Sequence, residues 1–199
     1  MAQSEAALAG GGGRGALSSG VLGMTLFLFT EFMLFAGLIS AFLILRAQAP
    51  VWPPAGQPRL PVAVTGANTI VLILSGFTMA RAVGALTKGS AAAVRWLQAT
   101  AALGLLFLLI QGTEWTRLVS FGLTGHSSVY GATFYALVGI HGIHVAAAVV
   151  VLFVNLLRTM GGLYTPAEHV GLSLCRMYWI FVVGVWPVLY LLLYQPWAS

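Results

Sequence analysis

The sequence predicts an all-α, polytopic membrane protein built as a bundle of five transmembrane helices, and three observations carry that expectation. Hydrophobic residues make up 59% of the 199 residues, charged residues only 7%, and mean hydropathy is +0.95, a balance outside the range of soluble domains. Apolar runs long enough to cross hydrocarbon, about 20 helical residues each, occur five times. Proline- and glycine-bearing stretches separate them. The net charge of +5 comes from single basic residues scattered among loops, which is a topology signal rather than a nucleic-acid-binding stripe. No nucleic-acid partner is expected. A single cysteine, Cys175, excludes an internal disulfide and a Cys-rich metal site.

Residues 1–19 are small and polar, with Gly10 to Gly13 in a row. They lack the basic, apolar and cleavable regions of a signal peptide and read as a flexible N-terminal tail. The membrane domain then occupies residues 20–199. Its first helix spans about residues 20–46 and ends at APVWPPAGQPRLP, whose prolines at 50, 53, 54, 58 and 61 cannot continue a helix. The second spans about 62–86 and is followed by a short turn, Thr87 to Ala91, containing Gly89. The third runs over about 92–121, the fourth over 129–158 and the fifth over 170–194, separated by the loops GLTGHSS and TMGGLYTPAEH. Small-xxx-small spacing at Gly37/Ala41 and Gly76/Ala80, with Gly139 near Gly142 on the fourth helix, suits close helix packing, and Pro187 should kink the fifth helix. No internal repeat and no soluble domain is visible.

Short cytoplasmic loops are enriched in Lys and Arg. The tail and the second and fourth loops hold six such residues, Arg14, Arg81, Lys88, Arg95, Arg158 and Arg176, against three, Arg46, Arg59 and Arg117, in the first and third. The N-terminus is therefore expected in the cytoplasm and the C-terminus outside, with Tyr190, Tyr194 and Trp197 as an interfacial aromatic belt.

Polar residues inside the spans are few. Glu31 is the single carboxylate of the first helix, and a charge at the bilayer centre costs at least about 2.5 kcal/mol, so it needs a partner, a proton or a task. With about 1.5 Å rise per residue, Glu31 lies roughly 22 Å from the outer end of its helix, and His141 and His144 of the antiparallel fourth helix lie roughly 18 and 22 Å from the same surface. Residues three apart share a helix face, so Glu31 is expected to meet His141 or His144, directly or through a water. That contact serves either as a static interhelical bond or as a proton-handling pair. Gln111 and Glu114 share a face of the third helix at a depth similar to Asn68 of the second, which suggests a polar interhelical cluster nearer the outside. Two histidines do not fill a four-donor zinc site or the opposed axial positions of a b-type haem. His126 and His169 fall in loops on opposite sides, so no metal is expected in this chain.

The motifs carry a resemblance. VYGATFYALVGIHGIHV is similar to the hallmark segment of subunit III of the haem-copper respiratory oxidases, TEFMLFAGLISAF to that family's buried-carboxylate segment, WPPAGQPRLP to its WPP-rich loop, ANTIVLILSG to its N-T-x-x-L-x-x-S-G helix, QGTEW to its Q-x-x-E-(Y/W) site, and MYWIFVVGVWPVLY to its closing helix. The match is collinear from about Gly23 to Trp197, and five helices are the family's short bacterial form. The resemblance implies a subunit of a cytochrome c oxidase without redox centres of its own, which stabilises the catalytic subunit and supports proton uptake. Haem and copper would then reside in partner subunits, with subunit I, subunit II and other respiratory-complex subunits as neighbours in a bacterial cell membrane. It further implies bound phospholipid in a V-shaped cleft between helices one and two and helices three to five. Glu31 falls on the buried carboxylate, and His144 and Arg158 fall where the family meets lipid headgroups. Ile180 and Val183 stand where the family commonly has His and Asp, and Ser40 replaces an aromatic residue.

Two other functions fit the same residues. A quinol oxidase subunit III, or the related accessory protein of nitric oxide reductase, keeps the fold and changes the partner. A small proton-coupled transporter would use Glu31 and the histidines, although neither a repeat nor paired interrupted helices, both frequent in transporters, is present.

Overall fold

The computed structural model describes residues 12–58 and 60–194. Among the described residues it has five helices and no strand: α1 Gly12–Gln48, α2 Val62–Thr87, α3 Ala92–Ser120, α4 Val129–Met160 and α5 Val170–Tyr194. All five are long and apolar enough to cross a membrane. Only helices satisfy every backbone group within one segment in lipid, which is why the apolar runs become helices almost end to end. The expected bounds differ by two residues or fewer at every end except the first. There α1 reaches back to Gly12, into the stretch read as a tail, because nothing after Gly12 interrupts a helix that propagates one hydrogen bond per added residue. Residues 1–11 of that stretch, Arg59 in the first loop and Trp197 in the expected belt lie outside the described residues.

Loop length decides which helices pack together. The turn after α2 is closed by Gly89 N donating to Leu86 O and Ser90 N to Ala85 O, both 2.9 Å, with Gly89 at φ +65°, a conformation that side chains rarely adopt. This tight reversal lays α3 antiparallel on α2, and their contact is the most extensive in the molecule. Next come α5 against α2 and α4, and α4 against α3. The longer proline-rich loop lets α1 leave its neighbour in sequence and pack on α5 and α4. Trp52 of that loop sets its ring edge against Phe42 of α1, centroids 5.7 Å apart, and against Tyr130 of α4, 5.2 Å. A cleft dividing helices one and two from three to five is therefore not the arrangement: α2 belongs with α3 and α5, and α1 is the peripheral helix.

The centre is filled by α5. Trp179 and Trp186, seven residues apart on one face, are 1% and 0% exposed. Each indole donates to a hydroxyl of α2, Trp179 Nε1 to Ser75 Oγ at 3.2 Å and Trp186 Nε1 to Thr69 Oγ1 at 2.9 Å. Trp179 also lies across Gly104 of α3, where an added Cβ would stand 2.6 Å from Cη2, so glycine permits that approach. Among the expected small-residue surfaces, Gly76 meets Val183 and Gly142 meets Trp115. A Cβ added at Gly37 or Gly139 would meet nothing within 4 Å, and Ala41 and Ala80 are exposed. Tyr194, placed in the expected aromatic belt, is 2% exposed and stacks with Tyr190 at 5.6 Å inside the bundle end. Its ring faces α3 and α4 rather than lipid because Gln111 offers its hydroxyl a partner.

Candidate functional site

Glu31 sits mid-way along α1 and His144 mid-way along α4, and antiparallel packing brings them to one level. Their contact is direct: His144 Nε2 and Glu31 Oε2 are 2.7 Å apart, and each side chain is 16% exposed. The other imidazole nitrogen, Nδ1, is 2.7 Å from the carbonyl oxygen of Ile140 one turn earlier. A carbonyl only accepts, so Nδ1 carries hydrogen and donates. Nε2 then either carries a second hydrogen and donates to an ionised Glu31, or is bare and accepts from a protonated Glu31. Both arrangements place one proton between the two atoms, and they interconvert by moving it along a single short hydrogen bond.

Phe35 of α1, 3% exposed, walls the pair from the bundle interior. Its ring lies 5.3 Å from that of His144 and 6.1 Å from that of His141, edge-on to both. A single helix does meet both histidines, but it offers a carboxylate to one and a phenyl ring to the other. His141 is 1% exposed, stacks on Trp186 at 5.0 Å with 24° between planes, and neither of its nitrogens has a protein hydrogen-bond partner. Of the two histidines, His144 is the partner of Glu31, and His141 packs as an aromatic ring. On the bundle side Tyr178 of α5 donates from its hydroxyl to the His144 carbonyl oxygen at 3.4 Å.

The residues expected as one polar cluster have separate partners. Asn68 Nδ2 donates to Phe107 O at 3.1 Å, Gln111 Nε2 to Tyr194 Oη at 3.3 Å, and Glu114 accepts from Arg117 of its own helix at 2.8 Å. Asn68 and Gln111 satisfy the nearest backbone or hydroxyl group, and Glu114 takes the cation one turn away, so no hydrogen bond links the three. His144 also fits poorly as a headgroup contact, since both ring nitrogens are engaged within the chain and it lies about 22 Å along α4 from either end. Arg158 is exposed in the last turn of α4, at interface depth. Ser40 is exposed and donates to Ala36 O of its own helix at 2.7 Å. Val183 is buried against Gly76, an apolar seam that has no use for the family's carboxylate, while Ile180 faces outward. Among the described residues no three His, Cys, Asp or Glu side chains converge as metal donors.

Comparison with known proteins decides the family. The sequence matches the family described as cytochrome c oxidase subunit III over residues 3–199. The chain belongs to that family. A relative named cytochrome c oxidase subunit 3 from Synechocystis is 38% identical over 176 residues, covering 87% of this chain and 74% of the relative. Those of the same name from Thermostichus vulcanus and Corynebacterium diphtheriae are 35% and 36% identical, each over 87% of this chain and 86% of the relative. The subunit III family fold and five spanning helices make this a multi-pass membrane subunit of an oxidase complex.

The residues that hold the oxidase subunit together were only partly visible in its sequence. Ser75, Thr69 and Gly104 carry the Trp179 and Trp186 contacts, and none stands out by type. A usable signal was the pair of tryptophans itself: at seven-residue spacing they share a face, and a buried indole N–H demands an acceptor on the facing helix.

Proposed function

We propose that the chain works as a subunit III without redox centres of its own in a cytochrome c oxidase of a bacterial cell membrane, beside the haem- and copper-bearing subunit I, subunit II and other respiratory-complex subunits. Its task is to stabilise the catalytic subunit during aerobic electron transport and to support proton uptake through Glu31. Family membership supports the setting. The observation that carries the finer role is the 2.7 Å Glu31–His144 contact, which must hold one proton because Nδ1 is committed as a donor to Ile140. A carboxylate that merely joined two helices needs no such arrangement; an amide would serve.

In this reading the N-terminus is cytoplasmic and the C-terminus outside, as the excess of cations at the α2–α3 and α4–α5 ends supports. Phospholipid occupies the outer surface of α1 and α4, with Arg158 at headgroup depth. The chain should copurify with haem absorbance and a copper-bearing subunit when membranes are solubilised mildly. In that complex Glu31→Gln is expected to leave oxygen chemistry running while proton uptake slows and the enzyme inactivates earlier under turnover. Turnover, lifetime and proton uptake all equal to wild type would reduce Glu31 to a packing group. Reduced cytochrome c and quinol, offered separately as donors, identify which oxidase class the complex belongs to.

A further inference from the structure

The α2–α3 end of the bundle carries a second feature, unrelated to Glu31. A groove of about 340 Å3 is lined by Ala80, Arg81, Gly84, Ala85, Lys88, Ser90 and Trp96. Its floor on α2 is Ala80, Gly84 and Ala85, side chains that stop at Cβ or sooner, which leaves the trough open. Its wall is aromatic: the Arg81 guanidinium lies 5.6 Å from the centroid of Phe77 and 5.7 Å from that of Trp96. Stacked between two ring systems, a guanidinium keeps its N–H edges free for a planar fork of acceptors. Neither Arg81 nor Lys88 forms an ion pair with any described residue, and both are exposed.

The charge of this end is lopsided. Arg81, Lys88, Arg95, Arg158 and Arg176 gather there from the ends of four helices, and Glu168 is the one carboxylate among the described residues of that end. Depth matters as well. Arg81 lies about 9 Å inside the last residue of α2 and Trp96 about 6 Å inside the first of α3, the level at which tryptophan and arginine meet the ester and phosphate layer of a leaflet. Lys88 and Ser90, in the turn, lie further out. A free phosphate ion shares the chemistry of a phosphodiester, but the aromatic wall and the apolar trough below the cations suit a group with a hydrocarbon body.

We propose that this groove binds one anionic phospholipid, its phosphate held by Arg81, Lys88 and Ser90 and its glycerol and upper chain laid along Ala80, Gly84 and Ala85 against Trp96. The site lies at the α2–α3 turn, apart from Arg158 and from the α1–α4 surface, and does not depend on the role of Glu31. Basic pockets between helices at the cytoplasmic face are a physically favoured place for anionic headgroups, each cation near the surface contributing about 1 kcal/mol.

The test uses the full chain, purified in detergent, stripped of lipid and titrated with phosphatidylglycerol, phosphatidylcholine or inorganic phosphate, with bound ligand read by native mass spectrometry. One phosphatidylglycerol per chain should bind in clear preference to phosphatidylcholine. Lys88→Gln should weaken it about fivefold, and Arg81→Gln with Lys88→Gln on the order of 30-fold. Both side chains are exposed, so the variants should fold, which the melting temperature reports. Arg176→Gln, a cation of the same end outside the groove, should leave the affinity within about twofold. Equal binding of phosphatidylcholine, an unchanged affinity in the double variant, or an equal loss in Arg176→Gln would overturn the site. Inorganic phosphate binding as tightly as phosphatidylglycerol would overturn the lipid and leave an anion site.

Discussion

Two seams of this molecule are built in opposite ways. Where α5 meets α2, tryptophan indoles donate to neutral hydroxyls, glycines admit close approach, and almost nothing is exposed. Where α1 meets α4, the principal polar contact is a proton-bearing pair, each side chain 16% exposed, on a helix whose outer face is bare. Leu26, Phe29, Phe32 and Met33 are all more than half exposed. Lipid tails are as apolar as leucine, so packing and hydrogen bonds rather than hydrophobic burial must hold helices together. The first seam uses both fully and fixes the fold. The second uses little packing and rests on one proton shared between Glu31 and His144. Phe35 stands between the two seams, its ring 5.3 Å from that of His144 and 6.1 Å from that of His141.

That contrast can be broken experimentally, most strongly at Trp186. Replacing it by alanine removes the stack under His141, leaves Thr69 without its indole donor and opens a cavity; about 3 kcal/mol of destabilisation is expected, read from the midpoint of SDS-induced unfolding in mixed micelles. A loss below about 1 kcal/mol would mean that the α2–α5 seam is not the rigid one. Gly104→Ala comes next, since its Cβ would stand 2.6 Å from Trp179 and the helices must part. A cost of about 1–3 kcal/mol is expected, together with a shift in tryptophan emission. The smallest effect belongs to Glu31→Gln. An amide N–H donates to a bare Nε2 as well as a carboxyl does, so stability should change by about 0.6 kcal/mol. An unfolding effect at Glu31 as large as that of Trp186→Ala would erase the distinction between the seams.

Much of this was legible because lipid imposes one rule on every span. Hydropathy located five helices and every bound to within two residues except the start of α1, and rise per residue matched the depth of Glu31 to that of His144. Depth counting could not choose between His141 and His144, because it carries no information on which way each side chain turns; Trp186 and Phe35 claim His141, and those neighbours come from elsewhere in the chain. The same limit scattered Asn68, Gln111 and Glu114. They are close in depth, yet each found a nearer partner at Phe107, Tyr194 or Arg117. The cleft expected between α2 and α3 failed for a reason the sequence did contain, namely that a turn as short as Thr87 to Ala91 forces its two helices side by side. Tyr194 read as an interfacial residue by position and became a core residue by virtue of Gln111.

The Glu31–His144 contact joins residues 113 apart in sequence. During synthesis α1 emerges long before α4 exists, so Glu31 begins with no imidazole to meet, and a lone charge in hydrocarbon is costly. The turn-linked α2 and α3 can insert as a ready-made hairpin, but α1 finds its place only when the last two helices arrive. A chain cut short before His144 therefore leaves Glu31 without the partner that the complete bundle gives it.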